Sequence, residues 1–418
     1  MKNSKLKLIG PFAQLLPLAG LPLKGTLADE QLDVISNAGV VVTGGTIQGV
    51  GDFEDLYSVA DEERYIIEKL DNPGVALPGF VDCHTHICWG GNRARDYAMR
   101  VAGKSYLDIA KAGGGILDSV AKTRASSLEE LVNSMSVRAA RHFAEGVTTC
   151  EVKSGYGLSV DEELKMLRAI QTANNDSSAD LVATCLAAHM PPAEYKKNPS
   201  AYLEILLTEL LPKIKAAGLS DRVDIFVEES AFNNEQARNY LTRARQMGFS
   251  LVMHVDQFTA GGSLLACELE AVSADHLEAS TDREIAALAS SKVIAVALPG
   301  ASLGLGCAYT PARKLLDGGA ALAIATDWNP GSAPMGDLLM QAAVLGAHEK
   351  LTTAETFAGI TFRAAAALEL SDRGSLAAGK LADIVVFPTD DHRDILYHQG
   401  KMKPVYIWKN GIRKGQNV

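Results

Sequence analysis

The chain reads as an α/β protein: a (β/α)8 TIM-type barrel with a small β-sandwich-like domain formed by both termini. Three observations predict this. Eight short apolar, β-branched runs recur between residues 76 and 328, longer stretches of helical character separate them, and outside that region the pattern changes to paired strands around tight turns.

The eight runs are Gly79 to His86, Gly146 to Lys153, Leu181 to His189, Val223 to Glu229, Ser250 to Gln257, Ala271 to His276, Val293 to Pro299 and Ala321 to Asp327. Between them, Ser127 to Glu145 opens with a Ser-x-x-Glu capping box, Asp161 to Thr172 and Tyr202 to Ala217 are amphipathic, and Thr281 to Ser290 follows a Ser-Thr cap. Alternating strands and helices of these lengths close into a barrel whose reactive face lies at the carboxyl ends of the strands. The Val40 to Val50 segment reads as a hairpin around Gly44-Gly45. Ala382 to Phe387 and Val405 to Arg413 read as further strands, the latter pair turning at Asn410-Gly411. The expected division is therefore residues 1–75 plus 376–418 for the β-domain and 76–375 for the barrel. The alanine run 364–367 is ordinary helix.

With 418 residues, 47% hydrophobic and 22% charged, the chain has the composition of a globular protein with a substantial core. A formal charge of -10, without any block of Lys or Arg, argues against nucleic acid or an anionic membrane as the main partner. An anionic small molecule would need a local cationic clamp. The six cysteines form no CxxC pair and lie largely in apolar runs, as expected of reduced thiols in a cytoplasmic protein. Lys2, Lys5 and Lys7 precede an apolar stretch, but Pro11, Gln14, Pro17 and Pro22 interrupt it; it is expected to form strands, and no stretch has the length of a transmembrane helix.

Of the nine histidines, five close apolar runs. His84 and His86 end the first, two residues apart, so that on an extended chain their side chains project the same way and can hold one cation together. His189, His254 and His276 end later runs, and Asp327 ends the last. Imidazole and carboxylate donors converging at one end of a barrel suit Zn2+ or Fe2+, with a coordination position left for water.

The chain resembles the amidohydrolase superfamily in Pro78-Gly-Phe-Val-Asp-Cys-His-Thr-His, in a His on the fifth and sixth strands, in an Asp on the eighth, and in Gly374-Ser-Leu-x-x-Gly-Lys-x-Ala-Asp. More narrowly it is similar to the imidazolonepropionase family, over roughly residues 36 to 388. The motifs are Ala112-Gly-Gly-Gly-Ile, Glu151-Val-Lys-Ser-Gly-Tyr-Gly-Leu, the stretch from Ala188-His-Met-Pro-Pro to Tyr195, His254-Val-Asp-Gln, Ser273-Ala-Asp-His-Leu and Thr326-Asp-Trp-Asn-Pro-Gly-Ser. That resemblance implies metal-dependent hydrolysis of the cyclic C-N bond of 4-imidazolone-5-propanoate to N-formimino-L-glutamate, the third step of histidine degradation. Metal-bound hydroxide would attack the ring carbonyl. Another cyclic amidohydrolase, or a heterocycle aminohydrolase of the same superfamily, stays open as the alternative.

The same resemblance implies roles residue by residue. His84, His86, His254 and Asp327 would hold the metal. A single ion is expected, because dinuclear relatives use a modified Lys on the fourth strand and Val223 to Glu229 contains none. Asp327 would also move the water's proton to the leaving nitrogen. His276 would steady the oxyanion or the water, and Gln257, which cannot exchange a proton, would only orient. Arg93 would clamp the propanoate, with Arg95 and Arg100 as competitors. Tyr106 and Tyr156 would contribute hydroxyls and ring packing, and His189 would polarise the carbonyl or bind the ring. Asn329, Gly331 and Ser332 would contact the substrate through backbone and short side chains. Trp328 replaces a residue commonly small in the family, the loop after Leu298-Pro-Gly lacks an aromatic cluster often present there, and Gln257 stands where some members have Glu. These departures bear on the substrate's fit. A homodimer is the expected assembly.

Overall fold

In the computed structural model, which describes residues 5–415 apart from the side chains of Tyr106, Leu107 and Ala110, two eight-stranded sheets form. One is the barrel. Its strands are β1 (Phe80–Asp82), β2 (Val147–Lys153), β3 (Asp180–Ala188), β4 (Arg222–Phe226), β5 (Ser250–Val255), β6 (Ser273–His276), β7 (Ile294–Ala297) and β8 (Ala321–Ile324). Each pairs in parallel with its sequence neighbour. The ring is completed past the strand ends, where Thr85 bridges Trp328 in parallel, Asp327 N donates to His84 O at 3.0 Å and His86 N donates to Trp328 O at 2.9 Å.

Every expected run overlaps a barrel strand, two of which begin one residue earlier, at Asp180 and Arg222, and two of the predicted helices start at the caps read from the sequence. Ser127 caps Leu128–Ala144 with Glu130 returning to its backbone, and Thr281 caps Asp282–Ser290 with Glu284 in the same reciprocal arrangement. The segment expected as one helix from Tyr202 begins earlier, at Pro199, and contains a π-helical stretch at Leu206–Leu210. Pro212 lies just beyond that stretch and has no N–H to give to the preceding turn, so the backbone widens there.

The second sheet gathers both termini around its own apolar core of Ile9, Phe12, Val40, Ile47, Ile384 and Trp408. It is mostly antiparallel. Lys7–Leu15 lies at its middle, pairing antiparallel with Ile35–Thr43 and in parallel with Val75–Pro78 and Ile66–Lys69. The hairpins turn where the sequence indicates, with positive φ at Gly44, Gly45, Asn410 and Gly411, as two-residue turns that match strand twist require. A helix at Phe53–Glu62 packs on this sheet, capped by Asp52.

The apolar run from Val75 is shared between the sheets. Val75–Pro78 pairs antiparallel with Ile384–Phe387, and the barrel strand begins at Phe80. Gly79 permits the change of sheet, because a Cβ there would lie 2.3 Å from Thr148 Oγ1 on β2. All six cysteines are free thiols, four of them buried. Among the described residues, no helix is long and apolar enough to cross a membrane. Gly79→Val should therefore destabilise the protein by about 1–3 kcal/mol through overpacking. Gly49→Val, where an added Cβ meets nothing within 4 Å, should leave Tm nearly unchanged in parallel thermal melts.

Candidate active site at the carboxyl ends of the strands

The predicted imidazoles and carboxylate come together. His84 Nε2 lies 3.6 Å and His86 Nε2 3.3 Å from the same oxygen, Asp327 Oδ1, and His254 Nε2 lies 3.5 Å from His86 Nε2. His276 joins His84 and His254 in a second group with its nitrogens within reach of theirs. All five residues are at most 3% exposed. Two of the five lie on strands, His254 within β5 and His276 at the end of β6. His84, His86 and Asp327 lie two to four residues beyond β1 and β8, on chain held extended by the closing hydrogen bonds.

The backbone is strained at this rim: His276 has φ 87° and Asp327 φ 50°, left-handed values that side chains other than glycine adopt at a cost of about 1–3 kcal/mol each. Thr310 Oγ1 donates to His276 O at 2.5 Å and fixes the first. Asp82 accepts from Thr326 N at 3.1 Å and from Thr326 Oγ1 at 2.6 Å, fixing the second.

Each ring is oriented from behind. His84 Nδ1 lies 2.6 Å from Asp275 Oδ2 and His254 Nδ1 2.9 Å from Asp224 Oδ2, which turns both Nε2 atoms toward the common point. Lys153 Nζ lies 2.8 Å from Glu151, 2.9 Å from Asp224 and 3.6 Å from Asp275. Neither Asp224, Asp275 nor Lys153 was anticipated from the sequence. The available signal was a charged residue inside an apolar strand, as in Arg-Val-Asp-Ile-Phe.

Burial, with the nearby Lys153 ammonium, pushes the pKa of His86 down to about 3 and that of His84 well below its usual value. His254 also falls to about 3, because burial outweighs Asp224. Burial raises Asp327. For His276 burial is opposed by Glu278, whose Oε1 lies 3.4 Å from Nδ1, and the pKa ends raised. His84 Nε2, buried and without a hydrogen-bond partner, faces Asp327. Two imidazole nitrogens 3.5 Å apart beside an unsatisfied third and a carboxylate fit a divalent cation among them.

A cavity of about 660 Å³ opens over this cluster, lined among others by His86, His189, His254, His276, Asp327 and Gln257. The same cavity is lined by Arg93 and Tyr156, and by Asn329, Gly331 and Ser332 from the loop after β8. So the predicted substrate contacts share one space; the side chain of Tyr106 lies outside the described residues. Arg93 Nε donates to Asp96 Oδ2 at 2.8 Å, and its Nη1 packs so closely on Gly331 that a Cβ there would lie 2.3 Å away. Arg100 and Lys104 also line the cavity. Arg95 instead donates to Ala112 O. A neighbouring cavity of about 360 Å³ at Glu228 and Asn233 is lined by none of the predicted residues.

Trp328 does not enter the cavity. Its indole is buried behind the site, donating from Nε1 to Pro334 O at 3.1 Å, 4.8 Å from the His142 ring and beneath the Arg141 guanidinium at 3.8 Å. The large residue after Asp327 is therefore accommodated away from the substrate space. The loop after β7 forms the helix Pro299–Leu305 and gives Leu305 and Cys307 to the cavity wall.

A parallel barrel with these side chains at its carboxyl rim defines a protein of the amidohydrolase class, and the sequence model of the Amidohydrolase family matches residues 106–411. The chain is 39% identical to the imidazolonepropionase of Bacillus velezensis over 408 residues, covering 91% of this chain and 97% of that protein. It is 40% identical to that of Fusobacterium nucleatum over 387 residues (91% and 92%) and 37% identical to that of Alkaliphilus oremlandii over 405 (96% of each). The chain belongs to the imidazolonepropionase family of amidohydrolases. Solved structures share the fold at lower identity. A triazine hydrolase variant superposes with TM-score 0.73 at 15% identity, covering 98% of this chain and 94% of that one. An adenosine deaminase from Xanthomonas campestris with bound zinc gives 0.67 at 19%, covering 98% and 92%.

Because His86 and His254 are already neutral well below pH 6, protons should compete weakly for this site. Zinc affinity, measured by chelator competition, should fall far less between pH 7 and pH 5 than the ~10³–10⁴-fold expected of three imidazoles with ordinary pKa values.

Proposed function

We propose that the chain hydrolyses the ring C-N bond of 4-imidazolone-5-propanoate to N-formimino-L-glutamate, with the catalytic barrel running to about residue 375 and beginning at 79, later than the expected 76 because Val75–Pro78 pairs within the sheet of the supporting β-domain. The observation that carries the proposal is one cavity lined both by a guanidinium, that of Arg93, and by the imidazole–carboxylate cluster. A small heterocycle with a carboxylate tail matches such a space in size and charge.

In this reading His84, His86, His254 and Asp327 hold one divalent ion, Zn2+ or Fe2+. A single ion is read because the fourth strand, Arg222–Phe226, carries no lysine that could bridge a second. When bound, such an ion acidifies water and polarises a carbonyl.

The chain's own groups then divide the work. The second oxygen of Asp327, 3.4 Å from Ser332 Oγ, takes a proton from water and delivers it to the leaving ring nitrogen as the C-N bond breaks. His276, favoured in its protonated form by Glu278, donates to the carbonyl oxygen as charge develops there. His189 takes the opposite role. Its Nδ1 donates to Gly155 O at 3.1 Å, and surrounding protein and His86 push its pKa down to about 3, so Nε2 carries a lone pair. It can accept from a ring N–H, which favours ring binding over carbonyl polarisation. Gln257 orients.

Arg93 is the better anion clamp of the cavity's two arginines. Arg100 already gives Nη1 to Gly304 O at 2.5 Å and Nη2 to Gly331 O at 3.2 Å, strapping the helix Pro299–Leu305 to the loop after β8. A cytoplasmic homodimer completes the proposal, as the commonest assembly of soluble enzymes.

The test is loss of imidazolone absorbance with formation of N-formimino-L-glutamate by metal-loaded protein. Arg93→Ala should lower kcat/KM about 10- to 150-fold, chiefly through KM, as expected for a charge-assisted pair worth ~1.5–3 kcal/mol. Decay at the spontaneous rate overturns the proposal. Ammonia release from pyrimidines or guanine would assign the site to the aminohydrolases instead.

A further inference from the structure

Lys153 has no part in the reaction as described, yet it is fully buried at the carboxyl end of β2. Glu151 and Lys153, two residues apart on one strand, both point into the barrel. A buried ammonium persists only with close anionic partners. Those partners are not local: Asp224 comes from β4 and Asp275 from β6. The carboxylate oxygens that Lys153 meets are also the ones behind the rings. Asp224 Oδ2 serves Lys153 Nζ and His254 Nδ1, each at 2.9 Å, while Asp275 Oδ2 serves Lys153 Nζ at 3.6 Å and His84 Nδ1 at 2.6 Å.

The resulting arc runs His84, Asp275, Lys153, Asp224, His254, and it ties β2 across the barrel to β4, β5 and β6 and to the chain beyond β1. Without its central cation, Asp224 and Asp275 would repel each other in a buried space and lose the shared anchor that fixes their side-chain angles. We propose that Lys153 is a positioning residue of the metal centre: its ammonium ties Asp224 to Asp275, and through them sets the direction in which His254 and His84 present Nε2. This rests on the metal reading given above. Filling the barrel interior alone would also bury a lysine, but would make it matter for stability only.

The experiment uses the charge-conserving double variant Glu151→Gln/Lys153→Met, which removes one cation and one anion, so a changed affinity reports geometry and not net charge. Zinc binding by competition with a chromogenic chelator should weaken about 10- to 100-fold, the range for loss of a group that orients ligands. The visible d–d bands of cobalt-loaded protein should shift. A folded double variant with lower Tm but unchanged zinc affinity and cobalt spectrum overturns the proposal. Should that variant fail to fold, Lys153→Arg keeps the charge but spreads it over a planar fork of different reach. It should shift the cobalt bands and weaken zinc binding at least ~3-fold, and unchanged values overturn the proposal. Wild-type protein that binds neither zinc nor cobalt would sink the metal reading itself. Wild-type binding with indifferent variants sinks only the role of Lys153.

Discussion

Closure of the barrel between its first and last strands is the constraint on which the site depends. Asp327 and His84 are far apart in sequence, and they meet because the chain after β8 donates from Asp327 N to His84 O while His86 N donates back to Trp328 O. Those two backbone bonds set three of the four proposed metal ligands side by side before any metal is considered. Asp82 reinforces the seam by accepting from both donors of Thr326 while meeting His142 Nε2 at 2.8 Å on the other side. The Trp328 indole packs beneath the same seam against His142 and Arg141, which explains how a bulky side chain beside Asp327 leaves the cavity open.

Much of this was legible because it rests on periodicity and on the special chemistry of a few residues. The eight apolar runs each overlap a barrel strand, and Ser127, Thr281 and the Gly44-Gly45 and Asn410-Gly411 pairs act where a cap or a left-handed turn was read. His84, His86, His254 and Asp327 converge because all are placed by the ends of parallel strands, a relation the strand pattern encodes. What the pattern hid was three-dimensional. Val75 to Asp82 reads as one run but serves two sheets, since hydrophobicity does not say which partner a strand takes. Lys153 lies inside a quoted motif, but its partners on β4 and β6 are set by barrel geometry and not by any local spacing. The choice between Arg93 and Arg100 likewise depended on where carbonyls of distant segments lie.

Several features that cost stability are gathered at the proposed site. His276 and Asp327 hold left-handed backbone, His84 Nε2 is buried without a partner, and more carboxylates than cations are enclosed. Features of this kind also occur elsewhere, as at Leu158 and Arg363, but there they are scattered among capped helices, paired turns and apolar cores. A divalent cation among these groups would satisfy the orphaned nitrogen and neutralise the excess charge in one step. Its binding free energy would thereby also be folding free energy. Burial holds the pKa values of His86 and His254 at about 3, so their nitrogens are unprotonated near neutral pH and available to a cation.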